Sequence, residues 1–139
     1  MVSACLLGEN CKYNDGNNRN DKLVHLLADH TVCTVCPEVL GGLPVPRVPA
    51  EIVSGTVMNR NGENVDNAFR KGAQKALDIA MKEKPDLIIL QSRSPSCGVK
   101  EVYDGTFSGK LISGQGVFAR MAVDAGFHVM DVEEILSLK

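Results

Sequence analysis

The chain has 139 residues, and 15 Lys and Arg residues nearly balance 17 Asp and Glu residues, which gives a formal net charge of -2. This balance excludes bulk electrostatic attraction to nucleic acid or to an anionic membrane, and two Tyr, four Phe and no Trp are too few aromatics to stack single-stranded bases. No apolar run approaches the roughly 20 residues of a membrane helix, so neither nucleic acid nor a membrane is an expected partner.

Length and cysteine content predict one domain with metal or redox chemistry. The chain is long enough to bury a full core without staples, so we expect a single domain over residues 1–139. The N-terminus has no basic segment followed by a long apolar run, which predicts a cytoplasmic protein. There, five cysteines serve metal or redox chemistry more often than disulfides, and an odd count argues against a closed disulfide framework.

The first elements are short. The apolar run from Val2 to Leu6 predicts a strand that ends before a turn, and the polar residues 9–22 predict a loop. Apolar residues in 23–27 then predict a short amphipathic helix, with Asp21 as its N-cap. A second strand is predicted from about Thr31 to Cys36 because the run is rich in β-branched residues.

A proline-rich segment follows at 37–51. Four prolines and two glycines in this segment predict irregular structure, because Pro removes a hydrogen-bond donor and fixes φ. A loop this long inside a compact domain is usually functional. Residues 51–58 are predicted to be extended, and 59–62 to form a turn.

The second half has the clearer helix. Apolar residues at spacings of three and four predict a helix from Val65 to Lys84, with Asn64 as N-cap and Pro85 ending it. The remaining predicted elements are a buried strand, a long loop, a helix, a short strand and a terminal helical turn, over residues 86–90, 92–111, 117–125, 127–130 and 132–138. This order predicts a three-layer, Rossmann-like α/β domain with a mostly parallel sheet and long active-site loops.

Three cysteines lie where predicted strands end. Cys5 and Cys36 close two apolar runs, and Cys97 follows a third. If these strands are parallel neighbours, their carboxyl ends share the sheet edge where open α/β folds form a binding crevice. Three thiolates at one crevice indicate a soft-metal site, and an iron–sulfur cluster is the favoured kind.

The other two cysteines are weaker candidates. Cys33 and Cys36 form a C-x-x-C, but residues three apart in a strand face opposite sides of a sheet, so Cys33 is predicted to be a small buried apolar residue. Cys11 lies in the polar loop and is open to three interpretations: a fourth ligand, a resolving thiol or a loop residue. A non-ligand role is favoured, because a catalytic cluster benefits from one open iron.

Polar residues accompany the cysteines. Glu38 follows Cys36 by two positions and is a candidate for proton transfer. Ser94 and Ser96 are candidates to hold an anion or a polar substrate edge, although an ordinary Ser/Pro loop remains the alternative. Arg47 is equally compatible with orienting a substrate group and with full solvation.

Five segments together resemble one known family. They are SACLLG (3–8), KYNDG (12–16), CPEVLGGLPVPRVPAEI (36–52), SPSCG (94–98) and YDGTFSG (103–109). In this order they closely resemble the domain-of-unknown-function 523 family, whose characterised members are 2-thiouracil desulfurases. The resemblance covers essentially the whole chain.

The resemblance implies a [4Fe–4S] cluster held by only three cysteines, which fall on Cys5, Cys36 and Cys97. It also implies catalytic roles for Glu38 and for one serine of SPSCG, leaving Ser94 and Ser96 both open. The implied reaction converts a small thiolated base such as 2-thiouracil into uracil and sulfide. The open iron would bind the substrate sulfur while Glu38 activates water.

Alternatives from other classes remain at this point. The same cluster is compatible with a desulfidase for thiolated nucleosides or with a sulfur-transfer enzyme. A non-catalytic zinc or iron–sulfur module that senses redox state would use Cys11, Cys33 and Cys36 in a closed four-ligand site. A domain whose cysteines only pack is the simplest alternative. The sequence does not predict the oligomeric state.

Overall fold

The computed structural model describes residues 1–137. Within this range the strands are β1 (Val2–Ser3), β2 (Thr34–Val35), β3 (Ala50–Val53), β4 (Thr56–Asn59), β5 (Ile88–Leu90), β6 (Glu101–Tyr103), β7 (Leu111–Ser113) and β8 (Val129–Asp131). Four of them form a parallel sheet in the order β2-β1-β5-β8. The other four form two antiparallel hairpins, β3–β4 and β6–β7.

Helices surround the parallel sheet. They are α1 (Asp21–Leu26), α2 (Pro37–Leu40), α3 (Asp66–Glu83), α4 (Val117–Asp124) and α5 (Val132–Ser137), and a short 3₁₀ helix spans Ala4–Leu7. Across residues 1–137, none of the helices has the length and apolar content needed to cross a membrane.

The sheet is buried on both faces. Ile88 and Leu90 pack into one core cluster with Phe69 of α3 and Phe118 of α4. Ile89, which points the other way as strand geometry requires, packs into a second cluster on the opposite face. That cluster contains Val2, Leu6, Leu23 and Val132. A strand covered on both sides has a continuous apolar sequence, which explains the Leu-Ile-Ile-Leu run at 87–90.

Several predictions are confirmed. The chain is an α/β protein with a parallel sheet, and the two longest helices lie within one residue of their predicted ends. The predicted N-cap is wrong by one residue: Val65 is the N-cap of α3, and the side chain of Asn64 before it accepts a hydrogen bond of 2.9 Å from the backbone N–H of Asp66. Lys84 then adopts a left-handed conformation with φ of 50°, and Pro85 follows it. The predicted extended segment 51–58 belongs to the β3–β4 hairpin and is extended except at Ser54 and Gly55, which form the turn.

The first predicted strand is too long. It ends at Ser3, and the 3₁₀ helix that follows carries Cys5 and ends at Gly8, whose φ of 102° suits a residue without Cβ. A short apolar run does not distinguish a strand from a tight helical turn. Cys5 therefore lies in the 3₁₀ turn directly after the strand, still at the carboxyl end of the sheet.

Other predictions were wrong in detail. The segment 37–51 contains α2, because a proline at the first helical position loses no hydrogen bond. The loop 92–111 contains β6 and reaches the start of β7. The N-cap of α1 is Asn20, whose side chain accepts from the Leu23 amide, and not Asp21. The predicted strands 31–36 and 127–130 are observed at 34–35 and 129–131, and predicted helical residue Leu138 lies outside the described residues.

Candidate functional site

A cavity of about 450 Å³ opens at the carboxyl ends of β1, β2 and β5. This is the edge where open parallel sheets form their ligand crevices. The cavity is lined by all six site residues predicted from the sequence, namely Cys5, Cys36, Cys97, Glu38, Ser94 and Ser96. Cys11 and Arg47 line it as well. Cys33 is not among the lining residues and packs against the core instead.

The position of Cys36 and Glu38 depends on a contact between two backbones. Cys36 directly precedes α2, and Glu38 lies in its first turn. This helix rests on α3 so closely that a Cβ added to Gly72 would lie 1.7 Å from the Pro37 carbonyl oxygen. A Cβ added to Gly41 would lie 2.0 Å from the Ala68 carbonyl oxygen. Glycine at both positions thus permits the docking that brings Cys36 and Glu38 to the cavity.

Cys97 is held by the turn that follows β5. The hydroxyl oxygen of Ser94 accepts hydrogen bonds from the backbone N–H groups of Ser96 and Cys97, both at 3.1 Å. Gly116 allows the start of α4 to approach this turn, because a Cβ there would lie 2.5 Å from the Ser96 carbonyl carbon. The side chain of Cys97 is consequently buried, and its orientation is fixed on two sides.

Cys5 is held by the polar loop that follows it. The backbone N–H of Asn18 donates to the Cys5 carbonyl at 2.9 Å, and the Asn18 side-chain amide donates to the Cys5 sulfur at 3.6 Å. Cys11 lies in the same loop, and its carbonyl oxygen accepts from the thiol of Cys36 at 3.8 Å. The loop therefore connects the first and second cysteines of the predicted ligand set.

The thiols are close enough to change one another's protonation. A hydrogen bond from Cys11, assisted by Asn18, lowers the pKa of Cys5 despite burial. Cys36 hydrogen-bonds to Cys11, and this bond together with burial raises the pKa of Cys36. The Cys36 bond lowers the pKa of Cys11, but its bond to Cys5 and its burial outweigh this and raise that pKa to about 11. Burial raises the pKa of Cys97 to about 12.

This donor set fits a cluster better than a single ion. Four cysteines line one cavity, namely Cys5, Cys11, Cys36 and Cys97, and thiolates are the ligand type that iron–sulfur clusters use. Within residues 1–137, no three Cys, His, Asp or Glu side chains are gathered tightly enough to bind one metal ion. A structural zinc site needs four such ligands around one point, whereas a four-iron cluster holds its thiolates farther apart. The arrangement thus gives no support to the zinc alternative.

A carboxylate and two hydroxyls lie beside the cysteines. The hydroxyl of Ser96 donates to Oε2 of Glu38 at 2.8 Å and lies 3.8 Å from the sulfur of Cys97. The Ser94 and Ser96 hydroxyl oxygens are 2.9 Å apart, while Ser94 is 3.5 Å from the same carboxylate oxygen. Ser96 is thus the closer hydroxyl to Glu38, and Ser94 supports the turn.

Sequence reasoning missed several lining residues. The sequence is compatible with a solvated Arg47, but the structure shows a side chain that is only 7% exposed and forms an ion pair with Glu38. Asn18 and the aromatic residues Tyr103 and Phe107 also line the cavity. Phe107 is fixed there because its backbone N–H, like that of Gly105, donates to the Glu51 carboxylate. The only sequence signal for the aromatic pair is their place in the YDGTFSG segment.

The fold and site together define a class of protein. It is an α/β protein with a thiol-rich pocket at the carboxyl edge of a parallel sheet, where a glutamate and serines flank the thiols. The model of the 2-thiouracil desulfurase family matches residues 1–134, and the chain belongs to that family. The resemblance seen in the five sequence segments is confirmed.

Two similar proteins extend this result. The uncharacterized protein YbbK of Bacillus subtilis (strain 168) is 38% identical in an alignment of 145 residues with gaps. The alignment covers 97% of this chain and 96% of YbbK. A solved structure of the [4Fe–4S]-dependent thiouracil desulfidase TudS superimposes with a TM-score of 0.91 at 34% identity. That match covers 99% of this chain and 92% of the TudS chain. The chain is thus a homologue of an iron–sulfur desulfidase over nearly its whole length.

Proposed function

We propose that this protein is a [4Fe–4S]-dependent desulfidase that removes sulfur from a small thiolated nucleobase such as 2-thiouracil. The products are the oxo-base, here uracil, and sulfide. The observation that carries the proposal is the contact between Glu38 and Ser96 at 2.8 Å in a cavity that is also lined by the three proposed ligands and by Cys11. Membership of the desulfurase family and the similarity to TudS support the substrate class.

Cys5, Cys36 and Cys97 would hold the cluster in this proposal. Their thiols line one cavity, and each comes from a different element at the carboxyl edge of the sheet. When bound by three thiolates, such a cluster supplies an iron without a protein ligand, a soft Lewis acid suited to the sulfur of a thiocarbonyl. The thiols must lose their protons to ligate iron, so loading releases protons.

The remaining chemistry belongs to the chain itself. Glu38 is the general base, and its Oε2 takes a proton from the water that attacks the thiocarbonyl carbon. Ser96 orients that water, since its hydroxyl already contacts the same oxygen at 2.8 Å. Ser94 keeps Ser96 and Cys97 in place through its two backbone hydrogen bonds. The C–S bond breaks as the C–O bond forms, and the oxidation state of the carbon does not change.

The test is sulfide release by anaerobically reconstituted protein. We expect sulfide and uracil in equal amounts from 2-thiouracil, and a loss of about 10²–10⁴-fold in kcat for Glu38→Gln, the range of general base catalysis. Glu83→Gln, at the end of α3, is the matched control and should match the wild type. Protein with a full iron content that releases no sulfide from 2-thiouracil contradicts the proposed substrate.

Two comparisons address the alternatives. Rates with free thiolated bases and with the matching nucleosides separate a base desulfidase from a nucleoside desulfidase. Colourless protein containing stoichiometric zinc would favour a binding or redox-sensing module, whereas broad visible absorption after reconstitution favours the cluster.

We further propose that residues 1–139 form one three-layer, Rossmann-like domain. The two core clusters on opposite faces of the parallel sheet support this assignment. We also propose a cytoplasmic location, because all five cysteines are free thiols and such thiols persist in a reducing compartment.

A further inference from the structure

We propose that Arg47 is a positioning residue that fixes the carboxylate of Glu38 for catalysis. The inference rests on the proposed function, in which Glu38 is the general base. Arg47 lies nine residues after Glu38. The end of α2 and two prolines, Pro44 and Pro46, separate the two residues.

The two oxygens of the Glu38 carboxylate have different partners. Nε of Arg47 donates to Oε1 of Glu38 at 3.0 Å, and Nη2 lies 3.0 Å from the same oxygen. Oε2 accepts from Ser96 at 2.8 Å. Because Oε1 is held from two nitrogens, rotation of the carboxylate is blocked, and Oε2 stays toward the serine and the cavity.

The guanidinium group is itself held by two other chain segments. Nη2 donates to the carbonyl of Cys11 at 2.8 Å, and Nη1 donates to the carbonyl of Pro44 at 3.1 Å. The backbone N–H of Arg47 donates to the carbonyl of Tyr13 at 2.7 Å. A planar guanidinium with fixed donor directions can satisfy the oxygens of Glu38, Cys11 and Pro44 at once, and a lysine ammonium cannot.

The Arg47–Glu38 ion pair is more buried than the other ion pairs within residues 1–137. The side chains of Arg47 and Glu38 are 7% and 15% exposed. Every other ion pair within residues 1–137 has at least one side chain that is more than half exposed. Exposed pairs contribute little to stability. A buried pair whose members also make other hydrogen bonds holds its geometry, and removing one member leaves an uncompensated charge.

The experiment compares iron-loaded wild type with Arg47→Ala and Arg47→Lys. We expect Arg47→Ala to lower kcat about 100-fold, within the range that a positioned base supplies, with KM changed less than about threefold and iron content unchanged. Methylguanidinium in solution should restore at least about tenfold of the lost rate, and methylammonium should not. Arg120→Met on the exposed face of α4 is the control and should match the wild type.

Two further measurements keep the inference falsifiable. Arg47→Lys keeps the positive charge and should fold even if Arg47→Ala does not, yet we expect it to lose most of the rate. Adding Arg47→Lys to Glu38→Gln should cause no further loss, because residues that act as a unit are not additive. Wild-type kcat in Arg47→Lys, or losses in the double variant that multiply, would overturn the inference.

A crystal structure of Arg47→Lys tests the inference without any assay. The expected result is a Glu38 carboxylate that has rotated away from Ser96, and an unchanged contact of 2.8 Å would overturn the positioning role. The crystal structure and the activity assay therefore test different claims. Wild-type protein that desulfurates no thiolated base would contradict the proposed function. The position of Glu38 in Arg47→Lys would still decide whether Arg47 positions the carboxylate.

Discussion

Segments 9–20 and 36–47 both border the cavity, but they are held in place by different forces. Segment 36–47 includes α2, which lies directly on the backbone of α3 at Gly72, and it ends in the buried ion pair between Glu38 and Arg47. Segment 9–20 has no helix or strand. Its long-range hydrogen bonds use mainly backbone groups, such as the carbonyls of Cys11 and Tyr13 that accept from Arg47. Side-chain contacts within the segment are exposed, such as the Asn17 amide to the Asn10 side chain at 2.8 Å.

The difference indicates where the site tolerates change. A segment fixed by backbone contact and a buried charge pair transmits any disturbance directly to Cys36 and Glu38. A segment that is fixed mainly through its backbone groups can be altered at single side chains with smaller effects. We therefore expect substitutions in or under 36–47 to have larger consequences than substitutions in 9–20, and the following predictions test that order.

Cys36→Ala should have the largest effect. We expect reconstituted protein to retain little or no iron and to release no measurable sulfide, because one of three proposed ligands is missing. Iron and sulfide counting with visible absorption spectroscopy measures this. Cys33→Ala, in a cysteine that packs against the core outside the cavity, is the matched control and should bind about four irons. A full cluster in Cys36→Ala would contradict the proposed ligand set.

Gly72→Ala should have the next largest effect. In most helices this change is stabilising or neutral, but here the new Cβ would meet the Pro37 carbonyl oxygen at 1.7 Å, and overpacking costs about 1–3 kcal/mol. We expect a loss of stability in that range and reduced sulfide release, since α2 must move. Denaturant unfolding measures the first quantity. Lys75→Ala on the exposed face of α3 is the control, and equal stability of the two variants would show that α2 is not rigidly docked.

The position of the site was predictable because it follows from topology. Cys36 and Cys97 come after apolar runs that form β2 and β5 of one parallel sheet, on either side of β1, so their convergence needs no detail of packing. Cys5 lines the same cavity although it belongs to a 3₁₀ helix and not to a strand, because a single turn does not carry the chain away from the sheet edge.

The partners of Glu38 were not predictable in the same way. Arg47 contacts Glu38 only because α2 docks on α3 and the proline-containing segment after α2 turns back toward the cavity. The four-residue helix α2 is too short to show periodicity in the sequence. The contact between Gly41, Gly72 and the facing carbonyls is likewise invisible in sequence, where these residues look like ordinary loop and helix glycines. Such features depend on distances between backbones that are far apart in the chain.

Cys11→Ala should have a smaller effect, because the substitution removes a thiol and keeps the backbone carbonyl that Arg47 and Cys36 contact. We expect about four irons per chain and a sulfide release rate within about threefold of wild type. Electron paramagnetic resonance of the reduced cluster is the second measurement and should be unchanged. A loss of iron comparable to that in Cys36→Ala would make Cys11 a ligand and reverse the expected order of the two segments.

Asn18→Ala should have the smallest effect, and it acts on one thiol. The Asn18 amide, 3.6 Å from the Cys5 sulfur, stabilises the thiolate and lowers the pKa of Cys5, although less than the hydrogen bond from Cys11 does. Removing it should raise the pKa of Cys5, so that a smaller fraction is thiolate at a given pH, and thiolate absorbance of cluster-free, reduced protein measures the change. The shift should be smaller than that caused by Cys11→Ala, and Asn17→Ala, whose amide binds Asn10, should cause none. An unchanged titration in Asn18→Ala would mean that segment 9–20 does not hold its asparagine against Cys5 in solution, which would sharpen the contrast with the buried segment 36–47.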